Sequence, residues 1–161
     1  MEPGRAGSGG TTMIRRLLLA AILGFALPAL ASAQPTKSTK RAVLDFGLIG
    51  VWAGACDEPA TPINNHATYA LSSSGAITLT YDAGGRYEPT RYAIVNAEIV
   101  ADDKIALRED YLNEKQTLEI LVRKDKGRIR VWTSKSTDGR VLVQDGVITN
   151  NRETLWLQRC R

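Results

Sequence analysis

Hydrophobic and polar side chains alternate along short stretches of the chain after residue 46. In one such stretch Ile129, Val131 and Thr133 form one face, and Arg128 and Arg130 belong to the other. A period of two residues is typical of a β-strand with one buried and one solvated face. A helical pattern fits at most one short turn, near residues 44–49. The predicted strands cover residues 48–54, 67–73, 76–82, 91–100, 104–112, 116–123, 128–135, 140–145 and 152–160.

Turn residues separate these predicted strands. Ser74-Gly75, Gly84-Gly85 and Asp138-Gly139 supply the chemistry of tight turns. Short connections join sequential strands as antiparallel hairpins, and an open sheet of this size would leave two long edges unpaired. We therefore predict an all-β domain over residues 47–161. Its architecture is a single antiparallel up-and-down meander of eight or nine strands, closed into a barrel, with a two-sheet sandwich as the alternative.

The first part of the chain has the pattern of a secretory leader. A short basic stretch starts at Met13, an apolar stretch covers residues 17–30, and Ala31-Ser32-Ala33 has the small residues of a cleavage site. This pattern resembles a bacterial Sec-type signal peptide. It predicts a leader over residues 1–33, translation from Met13, cleavage after Ala33 and a periplasmic or secreted protein. The alternative, a membrane anchor, would need about 20 apolar residues. The polar residues that follow predict a flexible tether over 34–46.

Composition and charge exclude several classes of function. The chain is 43% hydrophobic and 24% charged, as in ordinary globular proteins, and its formal net charge is +4. Outside the predicted leader there are 18 basic and 16 acidic side chains, which give a formal net charge of +2. This small charge argues against nucleic acid as a partner. We expect no integral membrane segment in the mature chain. One histidine and two cysteines do not make a zinc site, so we expect no metal and no cofactor.

The two cysteines, Cys56 and Cys160, predict one disulfide in an oxidising compartment. Free thiols or a redox pair are the alternative. Trp52 precedes Cys56 by four residues, and Trp156 precedes Cys160 by the same interval. In a meander, strands one and nine run in the same direction and bring these cysteines to one rim. The predicted bond therefore favours nine strands over eight.

Gly50-Val51-Trp52 lies near the start of the predicted barrel. It resembles the Gly-x-Trp signature of lipocalins and related calycins. The resemblance implies that the tryptophan packs at one end of a barrel and that a late arginine, Arg159 or Arg161, covers it. Two features differ from the lipocalin pattern. No C-terminal helix is visible, and the predicted disulfide reaches the first strand instead of a middle one.

Motifs for catalysis are absent from the sequence: it contains no phosphate-binding loop, dinucleotide fingerprint or nucleophile elbow. His66 is the one histidine, with Asp57 and Glu58 nearby, but no residue is marked as a nucleophile. We therefore expect a protein that is not an enzyme. The basic run from residue 123 to residue 130 fits either a solvated hairpin or contact with an anionic surface.

Interior side chains give the best candidates for binding. Glu109 shares the apolar face of its strand with Leu107 and Tyr111, and it orients a ligand, pairs with an arginine or meets water at a rim. Our candidate ligand-binding residues are Tyr69, Tyr81, Glu109 and Tyr111. We expect a non-enzymatic barrel that holds one small, partly apolar molecule. The alternative is an interaction module with a packed core that binds a protein partner through its loops and tether.

Overall fold

The computed structural model of the protein describes residues 37–161. The predicted leader, its cleavage after Ala33 and the start at Met13 lie outside these residues. Within them, no helix is both long and apolar enough to cross a bilayer. The elements are α1 (Lys37–Phe46), β1 (Gly50–Ala53), β2 (His66–Leu71), β3 (Ile77–Asp82), β4 (Thr90–Ala101), β5 (Lys104–Tyr111), β6 (Thr117–Asp125), β7 (Arg128–Ser136), β8 (Val141–Gln144), β9 (Val147–Ile148) and β10 (Leu157–Arg159).

Eight of the strands form a closed antiparallel barrel. Strands β1 to β7 pair in sequence order, and β10 pairs with both β1 and β7. The closing pairs are Trp52 with Arg159 and Leu157 with Ile129. The hairpin of β8 and β9 continues from the other half of the same β7 edge, beginning opposite Ser134. The all-β, up-and-down barrel predicted from the sequence is confirmed.

The disulfide between Cys56 and Cys160 is also confirmed, although the parity argument for nine strands is wrong. The two Cα atoms are 5.4 Å apart and 104 residues apart in sequence. In the eight-stranded barrel β10 runs antiparallel to β1, and the Cys160 amide donates to the Val51 carbonyl over 2.8 Å. The bond forms because β1 ends at Ala53 and the following residues turn, which returns Cys56 to the last strand.

A helix replaces most of the tether that the sequence predicts over residues 34–46. From Lys37 onward the chain is helical, and Thr39, Val43 and Phe46 are buried. Their spacing of four and three residues places them on one helical face. The Lys124 ammonium holds the end of the helix by donating to the Phe46 carbonyl over 3.0 Å and lying over its ring. The helix thus lies at the end of the barrel where β6 turns into β7.

Two β-bulges change which side chains face the interior. One interrupts β4 between Ile94 and Asn96, and another interrupts β7 between Val131 and Thr133. A bulge adds one residue to one strand and so reverses the alternation after it. Thr133, predicted to share a face with Ile129 and Val131, therefore faces outward, and Ser134 is buried in its place.

The Gly-x-Trp segment contacts Arg159, one of the two late arginines that the resemblance to lipocalins names. Trp52 is buried, and its Nε1 donates to the Leu48 carbonyl over 2.7 Å. Arg159 donates from Nη2 to the Ile49 carbonyl over 2.8 Å. A Cβ on Gly50 would lie 3.1 Å from Arg159 Nε, and the φ of 137° also favours glycine. The eight-stranded barrel is compatible with a calycin-like fold.

Candidate ligand cavity

A cavity of about 610 Å³ occupies the barrel interior at the end away from α1. Its size lies within the range of about 300–1,000 Å³ that is usual for small-molecule sites. Strands β3 to β7 supply its inner wall, and loops after β1 and β3 surround its mouth. The lining consists of Pro62, Ile63, Asn65, Tyr81, Ala83, Tyr87, Glu88, Thr90, Tyr92, Glu109, Leu118, Ile120, Val131, Ser134, Val143, Ile148, Arg152, Glu153, Thr154, Leu155 and Leu157.

Glu109 is the buried acid of this lining. It lies on β5 between Ile94 of β4 and Leu118 of β6, and 1% of its surface is exposed. Neither carboxyl oxygen has a hydrogen-bond partner among the described residues. Burial raises the pKa of Glu109 to about 8 because the charged form loses its hydration. The protein therefore holds an unpartnered acid inside an apolar barrel, which is costly for folding.

Four tyrosines lie beside Glu109, but only two of them line the cavity. Tyr81 and Tyr92 do so, and their rings meet edge to face with centroids 6.1 Å apart. Tyr69 is buried and hydrogen-bonds to Tyr81, whereas Tyr111 stacks on Tyr92 at 5.1 Å. Of the residues proposed from sequence, Glu109 and Tyr81 therefore line the cavity, and Tyr69 and Tyr111 support those that do.

Tyr87 and Tyr92 also line the cavity, although neither is among the candidate ligand-binding residues chosen from the sequence. Tyr92 precedes the bulge of β4 and shares the interior face of that strand with Ile94. Its cross-strand partners, Leu79 and Tyr111, follow from the register of the sheet, and its place on a predicted strand is the signal that the sequence offers. Burial raises the pKa of Tyr92 to about 12, and Glu109 is the next largest cause. Burial also raises the pKa values of Tyr69 and Tyr81 well above their usual range.

The segment from β8 to β10 forms the remaining wall, and Arg130 attaches it to the barrel. Arg130 Nη2 donates to the Gly146 carbonyl over 2.9 Å, and Nη1 lies 3.5 Å from a Glu153 carboxyl oxygen. Thr154 Oγ1 donates to the Val131 carbonyl over 2.8 Å. These bonds hold Val143, Ile148, Thr154, Leu155 and Leu157 against the cavity.

The basic run of β6 and β7 lies over aromatic rings. The guanidinium of Arg130 lies between two rings, 5.3 Å from the Trp132 centroid and 5.0 Å from that of Trp156. Arg123 lies over the Trp132 ring and Arg128 over the Trp156 ring. Cations above aromatic faces are attracted by the ring quadrupole. These arginines therefore join β6, β7 and the C-terminal segment.

His66 begins β2 and contacts the loop that precedes it. Its Nε2 lies 3.4 Å from Asn64 Nδ2. The Asn64 side chain also accepts from the Ala55 amide and donates to the Ala55 carbonyl. This arrangement fixes the loop after β1. Across residues 37–161, no group of three or more histidine, cysteine and acidic side chains is placed to hold a metal ion.

Comparisons with models of protein families, with curated proteins and with solved structures find no match for this chain. The resemblance to lipocalins accordingly rests on Gly50, Trp52 and Arg159 and on the barrel itself, which is compatible with a calycin-like fold.

Proposed function

We propose that the protein is a periplasmic or secreted barrel that binds a small, partly apolar molecule in its interior without chemical conversion. The observation that carries this proposal is the cavity of about 610 Å³ with the unpartnered Glu109 in its wall. Apolar walls with a few placed polar groups are usual in ligand sites. A ligand that bonds Glu109 offsets the cost of burying that acid.

The cavity favours this function over the alternative of an interaction module with a packed core. A packed core would leave no volume between the sheet and the β8–β10 segment. The leader pattern and the disulfide support a location outside the cytoplasm. The Gly50–Arg159 contact supports a relationship to calycins.

Titration with the neutral, fluorescent probe N-phenyl-1-naphthylamine tests the proposal. We expect saturable fluorescence enhancement by the mature protein. Leu118→Trp should weaken binding of the probe by about tenfold or more because the larger ring fills the cavity beside Glu109. Glu119→Trp is the matched control, since the adjacent residue is exposed on the outer face.

Absence of saturable binding by the folded protein would overturn the proposal. Equal affinity of the probe for Leu118→Trp and wild type would place the probe outside the cavity. Thermal melts of both variants separate loss of the cavity from loss of the fold.

A further inference from the structure

The charges of the cavity are unbalanced. Glu88, Glu109 and Glu153 contribute three carboxyl groups to the lining, and Arg152 contributes the one basic side chain. Glu153 already has Arg130 at 3.5 Å. Within the described residues no lysine or arginine makes an ion pair with Glu109. A cation supplied by a ligand therefore meets an acidic site.

Both oxygens of Glu109 are available to such a ligand. Each lies buried without a hydrogen-bond partner, although the residue lines the cavity. Tyr69 and Tyr81 hydrogen-bond to each other beside it and leave the carboxyl unpaired. An ionised carboxylate accepts but does not donate, so its natural partner is a group with several donors, such as an ammonium.

Two tyrosine rings add a second element of cation recognition. Tyr81 and Tyr92 line the cavity with an interplanar angle of 85°. Aromatic rings attract a cation near their faces, and the attraction strengthens where water is excluded. Leu118, Ile120 and Val131 supply apolar wall for the body of the same ligand.

We propose that the ligand is a small organic amine, bound with its ammonium group at Glu109 beside Tyr81 and Tyr92 and its apolar body against the β6–β7 wall. This inference rests on the proposed ligand-binding function. It goes beyond that function by assigning a positive charge to the ligand and by naming the protein groups that contact its ammonium and its apolar body.

Proton release follows from this arrangement. In the ligand-free protein burial keeps Glu109 protonated at pH 7, since its pKa is about 8. An ammonium favours the ionised carboxylate, so amine binding at pH 7 should release about one proton. The other titratable groups that face the site are Tyr69 of β2, Tyr81 of β3 and Tyr92 of β4, with Tyr87, Glu88, Arg152 and Glu153 around the mouth. The raised pKa values of Tyr69, Tyr81 and Tyr92 keep these three neutral through pH 8.

The test compares 2-phenylethylamine with 2-phenylethanol and 3-phenylpropionate, which differ in charge but little in size. Isothermal titration calorimetry at pH 7 in phosphate and in Tris measures both affinity and proton release. We expect the amine to bind about tenfold tighter than the alcohol or more, with the carboxylate weakest. From pH 6 to pH 8 the amine affinity should rise by up to about tenfold per unit, because the proton is released on binding.

Glu109→Gln keeps the size of the side chain and removes its charge. We expect it to lose the preference for the amine and the proton release while keeping the affinity for the alcohol. Glu119→Gln removes the same charge from the outer face and should behave as wild type. Tyr92→Leu should reduce the affinity for the amine more than the affinity for the alcohol.

Three results would overturn the assignment while leaving the proposed function intact. The first is binding of the alcohol at least as tightly as the amine. The second is an amine preference that persists in Glu109→Gln. The third is an amine affinity that falls from pH 6 to pH 8, which would indicate a ligand that accepts a hydrogen bond from the protonated acid. Failure of all three compounds and of N-phenyl-1-naphthylamine would overturn the function itself.

Discussion

The guanidinium of Arg130 occupies the space that a side chain on residue 146 would need. A Cβ built on Gly146 would overlap the Arg130 guanidinium, which donates to the Gly146 carbonyl over 2.9 Å. Two independent features therefore favour glycine at this position: the space taken by the arginine, and a φ of 76°. The contact joins β7 to the hairpin that forms one wall of the cavity.

Replacing Gly146 by alanine should destabilise the protein and loosen this wall. We expect a loss of roughly 3 kcal/mol in the free energy of unfolding, from backbone strain and overlap together. Chemical denaturation measures the loss, and titration with N-phenyl-1-naphthylamine measures the effect on the cavity. Gly127→Ala is a matched control, because Gly127 has the same φ of 76° and no atom near its Cβ position. It should cost about 1 kcal/mol. Equal losses in both variants would show that Arg130 does not constrain the hairpin.

Glu109 should make the folded protein less stable as the pH rises. Its pKa is raised to about 8 from an ordinary 4.5, so the folded state holds this proton more tightly than the unfolded state does. The resulting stabilisation is complete below about pH 4.5 and is lost as the pH rises through 8. The slope between these limits approaches 1.4 kcal/mol per pH unit, roughly the value for one proton.

Glu109→Gln should remove that dependence. The difference in unfolding free energy between this variant and wild type, measured by urea denaturation at several pH values, should grow from pH 5 to pH 8 and then level off. Glu119→Gln, on the exposed face of β6, should leave the slope of wild type unchanged. A constant difference across this range would mean that Glu109 titrates normally in the folded protein.

The disulfide should contribute several kcal/mol to stability. It closes a loop of 104 residues between Cys56 and Cys160, for which chain entropy gives about 4.7 kcal/mol as an upper value. We expect the double variant Cys56→Ser/Cys160→Ser to lose about 2–4 kcal/mol in urea denaturation. Wild type under reducing conditions should approach the same midpoint, and the reductant should not affect the double variant. Identical midpoints for oxidised and reduced wild type would contradict this expectation.

Gly50 and Arg159 should be coupled. Gly50→Ala adds a Cβ 3.1 Å from Arg159 Nε in a backbone conformation that favours glycine. In an Arg159→Ala background the contact disappears and only the conformational cost remains. We expect the double-mutant cycle to show a coupling of about 0.5–1.5 kcal/mol by thermal denaturation. Additive effects would show that the glycine and the arginine act independently, and would remove this support for the proposed relationship to calycins.

Strand positions and the inward side of β5 are predictable from the sequence because alternation is a local property. Ile105, Leu107 and Glu109 are all buried on the face that their spacing indicates. The burial of Glu109 without a partner is not local, because it depends on the side chains that the other strands of the barrel place around it. A carboxylate at that spacing fits equally well at a wet rim.

Features that interrupt a period are the ones that sequence reasoning misses. The bulge in β7 turns Thr133 outward and places Ser134 in the interior. No residue type at that point of the sequence indicates a bulge. Helix α1 is missed for a different reason. Thr39 occupies a buried position at which an apolar residue would make the helical hydrophobic pattern visible in the sequence. The disulfide was predictable from compartment and cysteine count. The turn that makes it possible with eight strands is a tertiary feature.

Closure of the barrel depends on a strand of three residues. Strand β10 provides two residue pairs to β1 and two to β7, and the disulfide fastens the residue that follows it. If this strand detaches, β1 and β7 each present a row of unpaired amides and carbonyls to solvent. Such rows are templates for pairing with other chains. The bond between Cys56 and Cys160 thus also protects the protein from aggregation. Protein made in a reducing compartment should self-associate through β1 and β7.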